Sequence, residues 1–420
     1  MKILVYPHDL QIGGSQLNAI ELSAAVRDLG HDVVVFGQPG PLADMVKRSD
    51  LEFITAPSPR KRPSPSVVRA LANLVRGRGL DLLHGYEWPP ALECLLASRL
   101  GGGIASAATV MSMSVAPFIP KTMPLVVGTA QIYRNEADFG RRRLLLVEPP
   151  VDIEANNVHA VANGRRFRRQ FGLDDDVRNV VCVSRLAKEL KLEGILSAMD
   201  AIATVARACS VRLVIVGAGP GMAAAAAKAS AINDVLGRPV VLLTGELTDP
   251  RGAYAAADIV LGMGGSALRG MSFGKPLVVQ GEQGFWKLLT PETLPEFLWQ
   301  GWYGVGQGTG VADLTDILSR LLDDEPLRAE LGGFGRQVVE QRFSLQSAAR
   351  VQAAFYRGIL QDRGTARSSL LAEATAAGRY IAHVGRRRYF RLFGQNATED
   401  FNANPVAARM TATKSIVGTP

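Results

Sequence analysis

Short, unbroken apolar runs recur along the chain, separated by helical stretches. KILVY (2–6), HDVVVFG (31–37), DLLHGY (81–86) and SAATV (106–110) punctuate the first part. VRNVVCVSRL (177–186), VRLVIVGAGPG (211–221), RPVVLLTG (238–245), AADIVLG (256–262) and KPLVVQG (275–281) punctuate the second. A run of four to six apolar residues without polar alternation fits a strand covered on both faces. Between the first two strands, GGSQLNAIELSAAVRDLG (13–30) opens on glycines and places Leu17, Ile20 and Ala24 on one helical face. Strand and helix signals alternating in this way predict an α/β protein with parallel sheets.

VEPPVDIEANN (147–157) breaks the alternation with two prolines and no periodicity. It divides the chain into an α/β half over 1–150 and another over 151–345. LQSAARVQAAFYRGIL (345–360) predicts a closing helix that packs back toward the first half. From 361 to 420 the pattern loosens into a basic tail, partly amphipathic over GRYIAHVGRRRYFRLFG and disordered over its last 25 residues. The stretch LGGGIASAATVMSMSVAPFIP (100–120) carries no charge, but its glycines, prolines and serines predict a buried strand and loop, not a membrane helix.

A chain of 420 residues, 47% hydrophobic and 20% charged, is long enough for two cores. The net charge is +8, and the nine Arg/Lys and four Asp/Glu of residues 361–420 supply +5 of it. A basic tail on a nearly neutral body argues against nucleic acid as partner. It suggests weak contact with an anionic membrane through Arg386–Arg391, Tyr389, Phe390 and Phe393. Three scattered cysteines, Cys94, Cys182 and Cys209, form neither a zinc pattern nor a disulfide framework. With an N-terminus that reads as a first strand, they place the protein in the cytoplasm, at most peripheral to the inner face of the membrane.

Candidate chemistry lies at the strand-to-helix turns. Gly13 and Gly14 open the first helix, where free N–H groups suit a phosphate or sugar oxygen. Arg185 directly follows a strand, with Lys191 six residues on; two cations at a sheet edge suit a diphosphate. Gly264, Gly265 and Ser266 form another glycine turn, with Ser266 as the expected N-cap. VIVGAGPG (214–221) has the form of a dinucleotide fingerprint. It lies mid-chain, however, and no acid ends a strand about 20 positions on; the first is Asp234.

Taken in order, GGSQ with LGHDVVVF, DLLHGY, SRL…K, LVIVGAGP, YAAADIVLG, SFGKPLVV and RFS…FYRGIL resemble the GT-B fold retaining glycosyltransferases of family 4, over residues 1 to about 360. The resemblance implies two Rossmann-like domains facing each other across a cleft, the first for the acceptor and the second for a nucleotide-diphosphate sugar. It implies that Arg185 and Lys191 hold the diphosphate, with one residue more between them than usual, and that no metal and no cofactor beyond the sugar nucleotide is needed. Gly13 and Gly14 would touch phosphate or sugar, while Gly264, Gly265 and Ser266 would cap the donor. The acceptor would be a small molecule, a glycan or a lipid-linked sugar.

The chain departs from that family's pattern at three places. The second of its two glutamates falls on Arg269 and the first on Leu261. A guanidinium only donates, so Arg269 implies a pocket that grips its nucleotide through phosphate. The histidine usual after the TV strand is replaced by Met111 or Met113, leaving His84 as the histidine in a family-like place; His84 and Met113 are the acceptor-side candidates. Glu282, with Gly284, stands where a donor-facing glutamate loop is usual, and Trp286, Trp299 and Trp302 would form either a lid or a local plug. Two rivals remain open: a non-catalytic nucleotide-sugar-binding or partner subunit on the same fold, and a dinucleotide-dependent oxidoreductase built on VIVGAGPG.

Overall fold

The computed structural model describes residues 1–392 other than 158, 160, 307 and 363–365, and beyond them Phe401 and Val406. The chain forms two compact units: Met1–Glu148 together with the chain from Leu345 on, and Pro149–Ser344.

The first unit is built on a sheet of seven strands: β1 (Lys2–Tyr6), β2 (Asp32–Gly37), β3 (Glu52–Thr55), β4 (Leu82–Tyr86), β5 (Ala105–Val110), β6 (Leu125–Val127) and β7 (Leu144–Leu146). Their order is β3-β2-β1-β4-β5-β6-β7, and every pair is parallel. The uniform apolar runs have a direct explanation. In β1, Ile3 and Val5 enter one core with Ile20, Val35 and Tyr356, while Leu4 and Tyr6 enter a second with Leu71, Val75 and Leu83. Both faces are covered by helices, so no position in the strand can be polar without a buried partner. The uncharged stretch at 100–120 becomes β5 and the loop after it, and among the described residues no helix is long and apolar enough to cross a membrane.

The second unit contains β8 (Arg178–Val183), β9 (Val211–Val216), β10 (Val241–Gly245), β11 (Ile259–Gly262), β12 (Leu277–Gln280) and β13 (Trp286–Leu288). They lie in the order β10-β9-β8-β11-β12-β13, parallel apart from β13. Here too alternate residues enter separate cores: Val180 and Cys182 one, Val181 the other. Trp302 stacks on Phe297 at 5.6 Å and meets Phe343 edge-on at 5.8 Å. Trp286 is buried in the other core of this unit and donates to Ser197 Oγ at 3.2 Å, so both tryptophans are core residues, while Trp299 stays exposed.

The helix Leu345–Gln361 packs in the first unit against the helix Gly14–Asp28, contributing Leu345, Ala349, Tyr356 and Ile359 to its core. The loosening expected after residue 361 is corrected by the structure: Ala366–Leu392 is one helix of 27 residues. Its inner side is docked. Tyr380 packs on Phe118 at 5.4 Å and donates to the Arg62 carbonyl at 2.5 Å, and Glu373 accepts from Arg99 at 2.5 Å. The helix has apolar residues on two sides, which blurs the single stripe that periodicity detects. The disorder expected over the last 25 residues lies outside the described residues except at Phe401 and Val406. There, Phe401 stacks edge-on against Phe118 and Val406 is buried. The side chains of Phe390, Arg391 and Phe393 also lie outside the described residues.

Candidate donor and acceptor sites

Strand order locates the sites before any side chain is considered. In the second unit the chain moves outward from β8 through β9 to β10, then restarts at β11 on the other side of β8. The switch point therefore lies between β8 and β11, where the loops beyond their C-terminal ends diverge and leave room for a ligand. Arg185 follows β8, and Gly264, Gly265 and Arg269 follow β11. In the first unit the switch point lies between β1, followed by Gly13 and Gly14, and β4, followed by Glu87.

The segment after β8 is an irregular turn, Lys188–Leu192, in which Leu190 adopts φ 66° and ψ −24°. A left-handed leucine is costly, roughly 1–2 kcal/mol, and its backbone is pinned. Leu190 N–H donates to Glu282 Oε1 at 3.0 Å, and Gln280 Nε2 donates to the Lys191 carbonyl at 2.8 Å. Glu282 Oε2 accepts from the buried Tyr303 hydroxyl at 2.5 Å. Glu193 accepts from the N–H groups of Gln283 and Gly284 at 3.1 and 3.0 Å. Glu282, the expected donor-facing glutamate, thus has both oxygens engaged in holding this turn.

Arg185 is exposed, while Lys191 lies deeper. Burial lowers the Lys191 ammonium to about 8; the Cys182 thiol and the Glu282 carboxylate act upward, and the Arg185 guanidinium downward. Burial pushes the Cys182 thiol up to about 11. Tyr254, also raised by burial, feels both Arg269 and Cys182. Arg185 and Lys191 follow β8 and Arg269 follows β11, so three cations stand in the segments beyond the two strands that flank the switch point.

Beyond β11, Gly264 takes φ 57° and ψ −131°, a conformation closed to residues with a side chain, and its N–H donates to the Trp302 carbonyl at 2.8 Å. Gly264 is itself the N-cap of the helix Gly265–Ser272. Ser266, expected as the cap, lies inside the first turn, where its hydroxyl bonds the Met263 carbonyl at 3.0 Å. With Gly264 as the cap, the helix starts two residues earlier than it would behind a Ser266 cap. At Gly265, an added Cβ would lie 3.3 Å from Arg269 Nη1. The missing side chain leaves the space over which the guanidinium folds back toward the helix start.

The glycines of VIVGAGPG have another cause. A Cβ on Gly217 would sit 2.0 Å from the Ser184 carbonyl oxygen, and one on Gly219 2.8 Å from that of Leu186. Leu186 N–H donates to the Ala218 carbonyl, and Gly221 N–H to that of Leu186, at 2.9 and 2.8 Å. The β8 turn itself fills the place where a pyrophosphate would lie in a dinucleotide fold.

In the first unit Gly13 is the N-cap of Gly14–Asp28 in extended conformation, with the Gln16 amide folded across it. His84, the acceptor-side candidate on β4, is sealed in the core. Nδ1 meets the Tyr356 hydroxyl at 2.5 Å, Nε2 meets Thr109 Oγ1 at 2.8 Å, and burial holds the ring neutral with its pKa at about 3. Met113 presents its carbonyl to Val406 N–H at 3.1 Å. Glu87 escaped the sequence reading. It takes φ 65° at the end of β4, and its carboxylate accepts from Met111 N–H at 2.9 Å, Ser112 Oγ at 2.7 Å and Ser15 Oγ at 3.2 Å. Burial raises its pKa against those three donors. An acid between a strand and the prolines of HGYEWPP was the available signal. No group of three or more His, Cys, Asp or Glu side chains placed to hold a metal ion occurs among the described residues.

Two parallel-rich α/β sheets of this order are the fold of the GT-B glycosyltransferases. Family models agree: residues 12–126 match "Glycosyltransferase Family 4" and residues 177–324 match "Glycosyl transferases group 1". The chain belongs to the GT-B glycosyltransferases of the family 4 type, and it is a glycosyltransferase. That membership replaces the oxidoreductase alternative. The chain is 25% identical, over 71% of its length and 82% of the relative's, to a GDP-mannose-dependent monoacylated alpha-(1-6)-phosphatidylinositol monomannoside mannosyltransferase of Corynebacterium glutamicum. It is 22% identical, over 86% of its length and 97% of the relative's, to an N-acetyl-alpha-D-glucosaminyl L-malate synthase of Bacillus anthracis. Among solved structures, Anabaena HepE in complex with UDP and glucose superposes with TM-score 0.67 at 16% identity, covering 84% of this chain and 98% of that one.

Proposed function

We propose that the second unit binds a nucleotide-diphosphate sugar chiefly through its phosphates, and that the sugar passes to an acceptor hydroxyl with retention of configuration. The observation that carries this reading is that Arg185 and Lys191 follow β8 and Arg269 follows β11, the two strands on either side of the switch point. Arg185, exposed and planar, forks onto phosphate oxygens, Lys191 adds a fixed charge from below, and the N-terminus of Gly265–Ser272 supplies N–H donors. When the anomeric C–O bond breaks, negative charge builds on the departing phosphate, and these groups stabilise it. The acceptor oxygen attacks from the face that the phosphate leaves, and the acceptor's proton passes to that phosphate. This route needs no protein nucleophile, and the three cations meet charge that a metal would otherwise meet.

Arg269 stands where the family has a carboxylate, and in this reading it is an anion ligand. One relative's name carries GDP-mannose and the HepE structure carries UDP, so these two diphosphates lead the probes, with ADP beside them. The acceptor is a small molecule, a glycan or a lipid-linked sugar.

The test is protection against thermal unfolding by UDP, GDP and ADP, followed by mass-spectrometric detection of transfer from a panel of their sugars. Protection by at least one diphosphate is expected, as is a loss of about ten-fold or more in its affinity on Arg269→Glu. No protection by any of them, or unchanged affinity in Arg269→Glu, would overturn the phosphate-centred site. Tight binding without transfer would favour the partner-subunit reading, which the absence of glutamate at 261 and 269 motivates.

A further inference from the structure

The helix Ala366–Leu392 has a second face that is exposed among the described residues. Tyr380, Ala376 and Glu373 point inward to Phe118, the first-unit core and Arg99. On the opposite side Leu371 is 77% exposed, Ile381 71%, Leu370 63% and Tyr389 58%. Ala374, Gly378, Ala382 and Gly385 fill the stripe between them and are likewise exposed. Four of the largest exposed apolar side chains of the described residues thus share one helix. Elsewhere, large apolar side chains of comparable exposure are scattered, such as Val235 in the second unit. On α-helical geometry Leu371, Gly378, Ala382, Gly385 and Tyr389 lie within a narrow arc, with Arg386 and Arg388 on either side of it.

Charge identifies what covers this face. Between Leu370 and Tyr389 the only acid is Glu373, and it faces inward on Arg99. Arg386 and Arg388 are exposed at the C-terminal end. Along the helix itself, from Leu370 to Tyr389, the outer face is therefore apolar with a cationic end and carries no carboxylate. That composition suits the headgroup boundary of an anionic bilayer, where leucine, isoleucine and tyrosine enter the interface and arginines reach phosphate. A second copy of this chain would bring the same arginines against each other.

We propose that this face of the helix Ala366–Leu392 docks the first unit on an anionic membrane surface. The proposal does not depend on the donor site, because both the surface and its readout lie outside the second unit. The full chain is sedimented with vesicles of phosphatidylcholine alone and with vesicles containing about one-third phosphatidylserine, at low and physiological salt. Binding is expected to the anionic vesicles only, weakening as salt rises. Arg386→Glu with Arg388→Glu, and separately Leu371→Glu with Ile381→Glu, each lower binding about ten-fold or more. Val235→Glu, on an exposed site of the second unit, leaves binding unchanged. Circular dichroism and the thermal midpoint establish that each variant is folded, and UDP or GDP protection is retained in all of them. Equal recovery with both vesicle types, or wild-type binding by the Leu371/Ile381 variant, would overturn the proposal. So would a concentration-dependent dimer that Leu371→Glu dissolves, which would assign the face to a second copy.

Discussion

Lys191 makes the most demanding prediction, because its environment couples ligand affinity and stability in opposite directions. Its ammonium titrates at about 8 instead of 10.5, mainly through burial. Below pH 8 it is charged in both folded and unfolded states, and burial of that charge destabilises the fold. A downward shift of this size corresponds to about 3 kcal/mol. Between pH 8 and the unfolded value near 10.4 the folded state binds fewer protons than the unfolded one, so this contribution makes stability rise with pH. The same deprotonation removes a cation from the proposed phosphate site. The protonated fraction falls from about nine-tenths at pH 7 to about one-tenth at pH 9, so diphosphate affinity should fall about ten-fold over that interval. Above pH 7.5 the nucleotide's own phosphate is fully ionised, its last pKa lying near 6, so the change reports the protein. Lys191→Met should remove both effects. The apo protein should gain about 3 kcal/mol at pH 7.5 in urea unfolding, while UDP or GDP binds about ten-fold or more weaker with no pH dependence. Isothermal titration calorimetry from pH 7.5 to 9.5 reads the affinities. A wild-type dissociation constant that stays flat across that range, with Lys191→Met indistinguishable from it, would refute the reasoning.

Other consequences concern stability. Tyr303→Phe removes one of the two donors holding Glu282, beside the strained Leu190 turn; a loss of about 1–2 kcal/mol in urea unfolding is expected, and an unchanged midpoint would mean that Glu282 is held by other groups. His84 is neutral in the fold, with its pKa at about 3, and charges near 6.5 when unfolded. Its contribution to stability is therefore lost as pH falls below 6.5, with a slope of about 1.4 kcal/mol per pH unit. Urea midpoints at pH 7 and pH 5 should diverge for the wild type and converge for His84→Leu, although the variant is less stable at both.

The donor site was only partly legible in the chain. Arg185, Lys191 and the Gly264–Gly265 turn stand directly after apolar strands, so local pattern marks them. Arg269 was visible as an arginine in an anomalous place, but its fold-back over Gly265 depends on a missing Cβ three-dimensionally beside it. Glu282 pairs with partners ninety-two residues earlier and twenty-one later, at Leu190 and Tyr303, and no local signal connects them. Glu87 was missed because its importance lies in donors from two distant segments, the start of the helix Gly14–Asp28 and the loop after β5, converging on one carboxylate.

By itself the amino-acid order marked nine apolar strands and the helices between them, because a strand covered on both faces must be apolar at every position, whereas the short strands Glu52–Thr55, Leu125–Val127, Leu144–Leu146 and Trp286–Leu288 carried too little pattern to be read. It also determined where the glycine turns fall. Only the tertiary structure decided what those turns are for. The same motif, glycine after a strand, serves close packing at Gly217, where the Ser184 carbonyl fills the space, and an open helix start at Gly264, where nothing does. The tail helix shows the same division: its composition favours a helix, but which side is buried was set by where Phe118, Arg62 and Arg99 lie in the folded first unit.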